Sequence, residues 1–267
     1  MRIVVDAMGS DNYPVPEVEG AVSASLLKDI EIILVGNESI IQPELDNYPN
    51  HGKISIKHCT EHVSMEDKPM IALRRKKDSS LLVGLRLIKN NEADALLSAG
   101  NTGAVMMASR MILGPIPGVR RSAICQTLPT TIGTRVVLLD LGANVDCTAD
   151  QLCQFAEMGQ VYAQLTLGIK EPRVGLINIG EEQAKGNDIA KTVHRNLTAA
   201  EHVHFIGNIE PKALFTGKAD VGVCDGFIGN IILKTTESVA GLMKNMIQEE
   251  LKQSWITKFG ALLSMSA

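Results

Sequence analysis

Three times in this chain a short aliphatic run stops at a glycine-rich turn and gives way to residues with helical spacing. The first turn is Ser98-Ala99-Gly100-Asn101-Thr102-Gly103, after residues 93–97. The second is Asn178-Ile179-Gly180-Glu181-Glu182, leading to Lys185-Gly186-Asn187, after residues 173–177. The third is Asp225-Gly226-Phe227-Ile228-Gly229-Asn230, after residues 219–224. A strand that ends in a tight turn and continues as a helix is half of a βαβ unit. Such units build a mainly parallel sheet with helices on both faces. Ligands bind at the carboxyl ends of the strands in such a sheet. Three loops on one sheet edge predict a polar, glycine-lined crevice whose backbone N–H groups and helix N-termini suit a phosphate-like anion.

The same alternation runs through the rest of the chain. Segments 2–6, 31–35, 54–58, 136–140 and 203–206 read as strands, and 15–27, 78–89, 103–113, 150–167 and 189–197 as helices. The expected fold class is therefore α/β, read as a single domain over 1–267. Hydrophobic residues make up 45% and aromatic ones only 3%, so the core is aliphatic, as buried parallel strands require.

The tail has a different pattern. Ile247, Leu251, Trp255, Phe259 and Leu263 recur at every fourth position, which predicts one long amphipathic helix over about 228–263. Its stripe packs on the core, on a sister subunit or on a membrane surface. Trp255 is the chain's single tryptophan, and interfacial helices favour that residue on the apolar face.

A net charge of −4 argues against nucleic-acid binding. The one strong basic run is Arg74-Arg75-Lys76-Lys77, a solvated helix face or a docking patch. The five cysteines are odd in number and lack CxxC spacing, so neither a disulfide framework nor a zinc site is implied. His58 and His62 lie four apart, but in a strand end and loop, and we expect no metal. No leader and no run of about 18 apolar residues is present, so a cytoplasmic protein is expected.

The loops hold the candidate chemistry. Lys185 can bind an anion or stabilise developing negative charge, or can pair with Glu181 or Glu182. Asn230 can cap the following helix or donate its amide to a carbonyl or phosphate oxygen, and Asn101 and Thr102 carry the same two readings. Asn144 and Asp146 close a turn or line the crevice. Without a nucleophile elbow, a P-loop or a metal motif, this inventory favours a substrate that brings its own nucleophile. Inorganic phosphate can attack a thioester directly and expel a thiolate whose thiol has a pKa near ~8.5. The protein then needs only to hold, align and stabilise; no cofactor is called for.

At these loops the sequence resembles the PlsX family of bacterial phosphate acyltransferases. The matching stretches are Val5-Asp6-Ala7-Met8-Gly9; Ala72-Leu73-Arg74 with Lys76-Lys77-Asp78-Ser79-Ser80; Ser98 through Ala104; and Leu128-Pro129-Thr130. Next come Asp140-Leu141-Gly142-Ala143-Asn144-Val145-Asp146, the Asn178 and Lys185 stretches, and Val223 through Asn230. Any one of these is weak, and seven in order are specific. The resemblance implies a Rossmann-like three-layer α/β/α fold related to phosphate acetyltransferases and the isocitrate dehydrogenase group. It implies a reaction in which fatty acyl-(acyl carrier protein) and phosphate give acyl phosphate for a membrane glycerol-3-phosphate acyltransferase. It also implies a homodimer, peripheral at the membrane, with Leu251, Trp255 and Phe259 on the membrane or dimer helix. Lys185 and Asn230 match the best catalytic positions. Asp6, Gly9, Ser98, Asn101, Thr102, Gly103, Asn144, Asp146, Gly180, Asn187, Asp225 and Gly226 match the loops expected to bind substrate or phosphate. Arg74, Lys76 and Lys77 are expected to meet the acidic carrier protein.

Two departures accompany the resemblance. Ser10 stands where the family usually has a second glycine, and the family usually continues past Ala267 to a glycine-rich closing segment, so a missing C-terminal segment is expected. Two other readings stay open. One is an enzyme acting on acyl-CoA, like the phosphate acetyltransferases; the other is a non-catalytic phosphate- or lipid-binding protein on the same scaffold.

Overall fold

The computed structural model describes residues 1–27 and 30–252. The chain divides into two compact units, Met1–Ser122 and Ala123–Ala267, each with its own sheet. The alternation of strands and helices continues across the division without a break in period, which is why the sequence alone reads as one domain. The segment Gly114-Pro115-Ile116-Pro117-Gly118 is the local punctuation ahead of the boundary. The expectation of three loops on one sheet edge is corrected. The first loop follows a strand of one sheet, and the other two follow strands of the other.

The first unit has four parallel strands: β1 (Arg2–Asp6), β2 (Glu31–Gly36), β3 (Lys53–His58) and β4 (Ala95–Ser98), in the order β3-β2-β1-β4. Its helices are α1 (Val15–Ser25), α2 (Glu38–Leu45), α3 (Pro69–Arg75), α4 (Ser80–Lys89) and α5 (Thr102–Ile112). Side chains alternate across a strand, and β1 shows it. Val5 packs with Val18, Val22 and Ile41 on one face, while Val4 joins Leu87 and Ala93 on the other. The unit is thus three layers deep.

The second unit has five strands in the order β5-β6-β9-β7-β8. They are β5 (Cys125–Pro129), β6 (Arg135–Leu139), β7 (Val174–Ile177), β8 (Phe205–Ile209) and β9 (Val221–Val223). All neighbours are parallel except β5, which forms an antiparallel hairpin with β6. The helices are α6 (Ala149–Leu167), α7 (Asp188–Thr198), α8 (Ala213–Thr216) and α9 (Gly226–Lys252). Val137, Leu139, Val174 and Val221 face Phe155 of α6 and Val193 of α7. Val136, Leu138 and Ile209 face Leu214 of α8 and Ile232 of α9. A reciprocal capping box between Thr148 and Gln151 starts α6, satisfying two otherwise orphan N–H groups.

The predicted tail helix corresponds to α9. Its Ile247 and Leu251 are exposed, as are Leu242 and Met246. Trp255, Phe259 and Leu263 lie outside the described residues. Among the described residues no helix is long and apolar enough to cross a membrane.

The amino-terminal ends of β7 and β9 are joined by a fork. Arg173 Nε donates to Asp220 Oδ2 at 2.8 Å and Nη2 to Oδ1 at 2.9 Å, and the Arg173 backbone N–H adds a third bond at 2.8 Å. Burial alone pushes the Asp220 carboxyl up, but the three Arg173 donors outweigh it, so the group ends below the ordinary carboxylate range. A carboxylate depressed in the folded state binds fewer protons there than in the unfolded chain. Its contribution is present above the unfolded pKa near ~3.9 and fades as pH falls through the folded value. Asp220→Asn should cost about 1–2 kcal/mol at pH 7, a figure already reduced for the half-exposed arginine. The difference from wild type should shrink in urea denaturation at pH 3; a difference constant with pH would refute this assignment.

Candidate active site

The second unit places three loops at the carboxyl ends of the adjacent strands β6, β9 and β7. The first is built around Asp140, the residue after β6. Its carboxylate is fully buried. Oδ1 accepts from the N–H groups of Ile124 (3.0 Å), Gly142 (3.3 Å) and Ala143 (3.1 Å). Oδ2 accepts from the backbone N–H of Asn144 (2.7 Å) and from its Nδ2 (2.8 Å). A buried charge is tolerable when its lone pairs are taken in this way.

The loop after β9 docks onto the loop after β6. The Gly226 N–H donates to the Asn144 carbonyl at 2.7 Å. The Asp140 carbonyl oxygen occupies the place a Cβ on Gly229 would need, so that position admits only glycine. Asp225 Oδ1 accepts from the Ile228 N–H at 2.8 Å and starts α9. The cap is therefore Asp225 and not Asn230. Asn230 lies one turn inside the helix, with its Cβ and Cγ 3.8 Å from the Cβ position of Gly142. It is exposed, and its amide makes no hydrogen bond among the described residues.

The loop after β7 is clamped by two buried asparagines. Asn178 Oδ1 accepts from the Ile179 N–H (2.8 Å) and Nδ2 donates to the Lys185 carbonyl (3.1 Å). Asn208 Nδ2, reaching over from β8, donates to the Glu182 carbonyl (2.9 Å), which also accepts from the Lys185 N–H (3.0 Å). Gly186 has φ +88°, and a Cβ there would fall 2.7 Å from Asn178 Oδ1. The Lys185 stem passes over Gly180, Cγ lying 3.3 Å from its Cβ position. Its ammonium makes no ion pair among the described residues. The Glu181 carboxylate is held by Lys218 Nζ at 2.6 Å, and the alternative reading, a Lys185 pair with Glu181 or Glu182, is not seen among the described residues. Asn187 caps α7 by accepting from the Ala190 N–H at 2.8 Å.

Between these loops opens a cavity of about 550 Å³, whose lining includes Asp146, Asn178, Gly186, Asn187 and Asp225. The structure thus gathers Asp146, Asn187 and Asp225 at one cavity. Lys185 and Asn230 flank residues that line it, namely Gly186 and Ile231. Burial raises the Cys224 thiol at its floor, which disfavours its thiolate form.

The remaining predicted residues lie in the first unit and meet one another. Asp6 and Ser98 are register partners at the ends of β1 and β4, and Ser98 Oγ donates to Asp6 Oδ2 at 2.7 Å. Gly9 and Gly100 pack against this pair with no room for side chains, a Cβ on Gly9 falling 2.9 Å from Asp6 Oδ2. Asn101 caps α5 by accepting from the Ala104 N–H, and its Nδ2 donates to the Met65 and Asp67 carbonyls, each at 3.1 Å. Both ends of that amide hold the fold together, which favours its capping reading. Thr102 is exposed in the first turn of α5, and Gly103 lies against Pro69. In the basic run, Lys76 is bound to Asp67 at 2.5 Å, and its hydrogen bond draws that carboxyl below its ordinary pKa. Lys77 Nζ donates to the Leu73 carbonyl at 3.1 Å, and Arg74 is exposed.

Asp140 and Asn178 stood inside recognised motifs without being singled out. Asn208 was missed outright; its signal was a polar residue in the otherwise apolar strand Phe205–Ile209.

Residues 1–267 match the family described as Fatty acid synthesis protein. The chain is 46% identical over 265 residues to the phosphate acyltransferase of Alkaliphilus oremlandii, spanning 98% of this chain and 78% of that protein. It is 48% identical over 263 residues to that of Desulfitobacterium hafniense, again spanning 98% and 78%. The chain belongs to this family. It is the PlsX family whose motifs the sequence carries, and this chain is an enzyme of it. Among solved structures, a phosphotransacetylase from Streptococcus pyogenes superposes with a TM-score of 0.67 at 16% identity, covering 90% of this chain and 82% of that one. A branched-chain phosphotransacylase from Enterococcus faecalis gives 0.60 at 16%, covering 88% and 83%. At such identities the likeness is one of fold, and it agrees with the phosphate acetyltransferase-like α/β fold that the PlsX motifs imply.

Gly229→Ala should separate packing from chemistry in this PlsX-family site. The added methyl meets the Asp140 carbonyl and should cost at least about 3 kcal/mol. Asn230→Ala, at an exposed position one residue on, should stay within about 0.5 kcal/mol of wild type. Thermal denaturation of the two variants side by side checks this, and equal melting temperatures would contradict the packing described.

Proposed function

We propose that this enzyme transfers a fatty acyl group from the thioester of acyl carrier protein to inorganic phosphate. A phosphate oxygen attacks the carbonyl carbon, the C–S bond breaks, and the products are acyl phosphate and the free carrier thiol. The main support is the 46–48% identity to phosphate acyltransferases along 98% of the chain. The chemistry of the second unit agrees with it. The N-termini of α7 and α9 favour an anion, and the Lys185 cation, unpaired among the described residues, balances its charge. The Asn230 amide donates to the oxyanion that develops on the carbonyl. Asp225 acts through the α9 cap. Asp146 takes the proton of monohydrogen phosphate as the tetrahedral intermediate forms and returns it to the departing sulfur, so the carrier leaves as its thiol.

The carrier protein is acidic and meets Arg74 and Lys77, with Lys76 already neutralised by Asp67. The exposed apolar residues Leu242, Met246 and Ile247 of α9 face a second copy of the chain or a membrane surface. The acyl phosphate passes to a membrane glycerol-3-phosphate acyltransferase for phospholipid synthesis.

Hydroxylamine trapping of acyl phosphate, with long-chain acyl-(acyl carrier protein) and acyl-CoA as parallel donors, tests the reaction. Turnover with the carrier protein should fall about 100-fold or more in Lys185→Ala and Asn230→Ala. Full activity in both variants, or turnover with acyl-CoA alone, would overturn the reading. Charge reversal by Arg74→Glu with Lys77→Glu should raise the KM for the carrier protein about 10-fold and leave kcat unchanged; an unchanged KM would remove the basic run from the docking surface.

A further inference from the structure

The cavity of the second unit is graded from dry to wet. At its floor Cys147, Leu152, Leu176 and Cys224 are each at most 7% exposed. At its rim four isoleucines face water: Ile179 at 81%, Ile231 at 50%, Ile189 at 43% and Ile228 at 39%. Clustered apolar exposure of this kind around a concave site marks a place for an apolar ligand. The volume of about 550 Å³ lies within the usual range of small-molecule sites.

The lining narrows the class of ligand. Its side chains are aliphatic, thiol, amide or carboxylate; none is aromatic and none is basic. A nucleotide would find no ring on which to stack its base. Its polar lining side chains are Asp146, Asn178, Asn187 and Asp225, and the last two cap α7 and α9. A ligand that fits has one small polar head and a flexible aliphatic body.

We propose that this cavity holds the aliphatic tail of the acyl group, with the reactive carbonyl at the α7 and α9 N-termini. The proposal rests on the acyl-transfer reading for the identity of the head and on the cavity for the tail. Ala190, in the first turn of α7 and on the cavity wall, then limits how much chain can enter. Ile228 forms the lip.

Binding of straight-chain saturated fatty acids from eight to sixteen carbons, read by displacement of a fluorescent fatty acid from the intact chain, tests this directly. Affinity should rise about 4-fold per methylene until the cavity is full and then level off. Ala190→Phe should move the levelling point to shorter chains, and Ile228→Asp, at an exposed lip, should weaken every length. Wild-type affinities in both folded variants, or affinities independent of length, would overturn the proposal. The acyl phosphate assay separates it from the reaction on which it rests. Length-dependent, variant-sensitive fatty-acid binding without any turnover would uphold the cavity and sink the transferase reading. Turnover whose chain-length profile is the same in wild type and both variants would sink the cavity and leave the transferase.

Discussion

The buried carboxylate of Asp140 is the interaction on which the architecture of the second unit turns. An isolated carboxylate in that position would be expelled or neutralised at a cost of several kcal/mol. Five N–H donors from Ile124, Gly142, Ala143 and Asn144 remove that cost. In doing so they fix the path of the loop after β6. The same residue presents its carbonyl to Gly229, so the start of α9 is placed against a loop that is itself already fixed. Asn144 closes the circuit by accepting from the Gly226 N–H. A group with no contact to solvent thereby sets where the solvent-facing Asn230 stands.

Five asparagines, at 101, 178, 187, 208 and 230, divide by what their amides touch. Asn178, Asn208 and Asn101 spend theirs on backbone groups of their own unit. Asn187 uses only its oxygen, and Asn230 neither end, among the described residues. The division matters because amides bound to the backbone position loops, while open ones remain for a ligand. Lys185 belongs with the second group at its ammonium and with the first at its backbone, where Asn178 holds its carbonyl. Its charge is presented from a loop anchored at both ends.

Strong periodicity made most strands and the long helices legible, along with the three loops. What escaped had weak or mixed signals. The helix α2 contains Pro43 and depends on the Asn37 cap. The strand β5 carries the polar pair Gln126-Thr127, ends at Pro129, and pairs only with β6. The division into two units was announced by two prolines and two glycines within residues 114–118, but in a sequence with 23 glycines such punctuation is common. In the site, residue types and loops were readable, whereas roles were not. Whether Asn101 binds a ligand or a neighbour depends on Met65 and Asp67, more than thirty residues away. Glu181 is taken by Lys218, thirty-seven positions on. Partners so distant leave no local trace.

The central strand β9 has only three residues, Val221–Val223, between β6 and β7. So short a strand has few ladder bonds to resist sliding, and a slip by one residue would turn each of its side chains to the other face. Its alignment is set from its ends. The Arg173–Asp220 fork holds one, and the reciprocal backbone bonds among Leu139, Asp140 and Cys224 hold the other. Asp225 and the whole start of α9 follow directly. The start of α9, which carries Asn230, is thus indexed by a guanidinium at the opposite end of the sheet, a tuning point for the site that lies outside it.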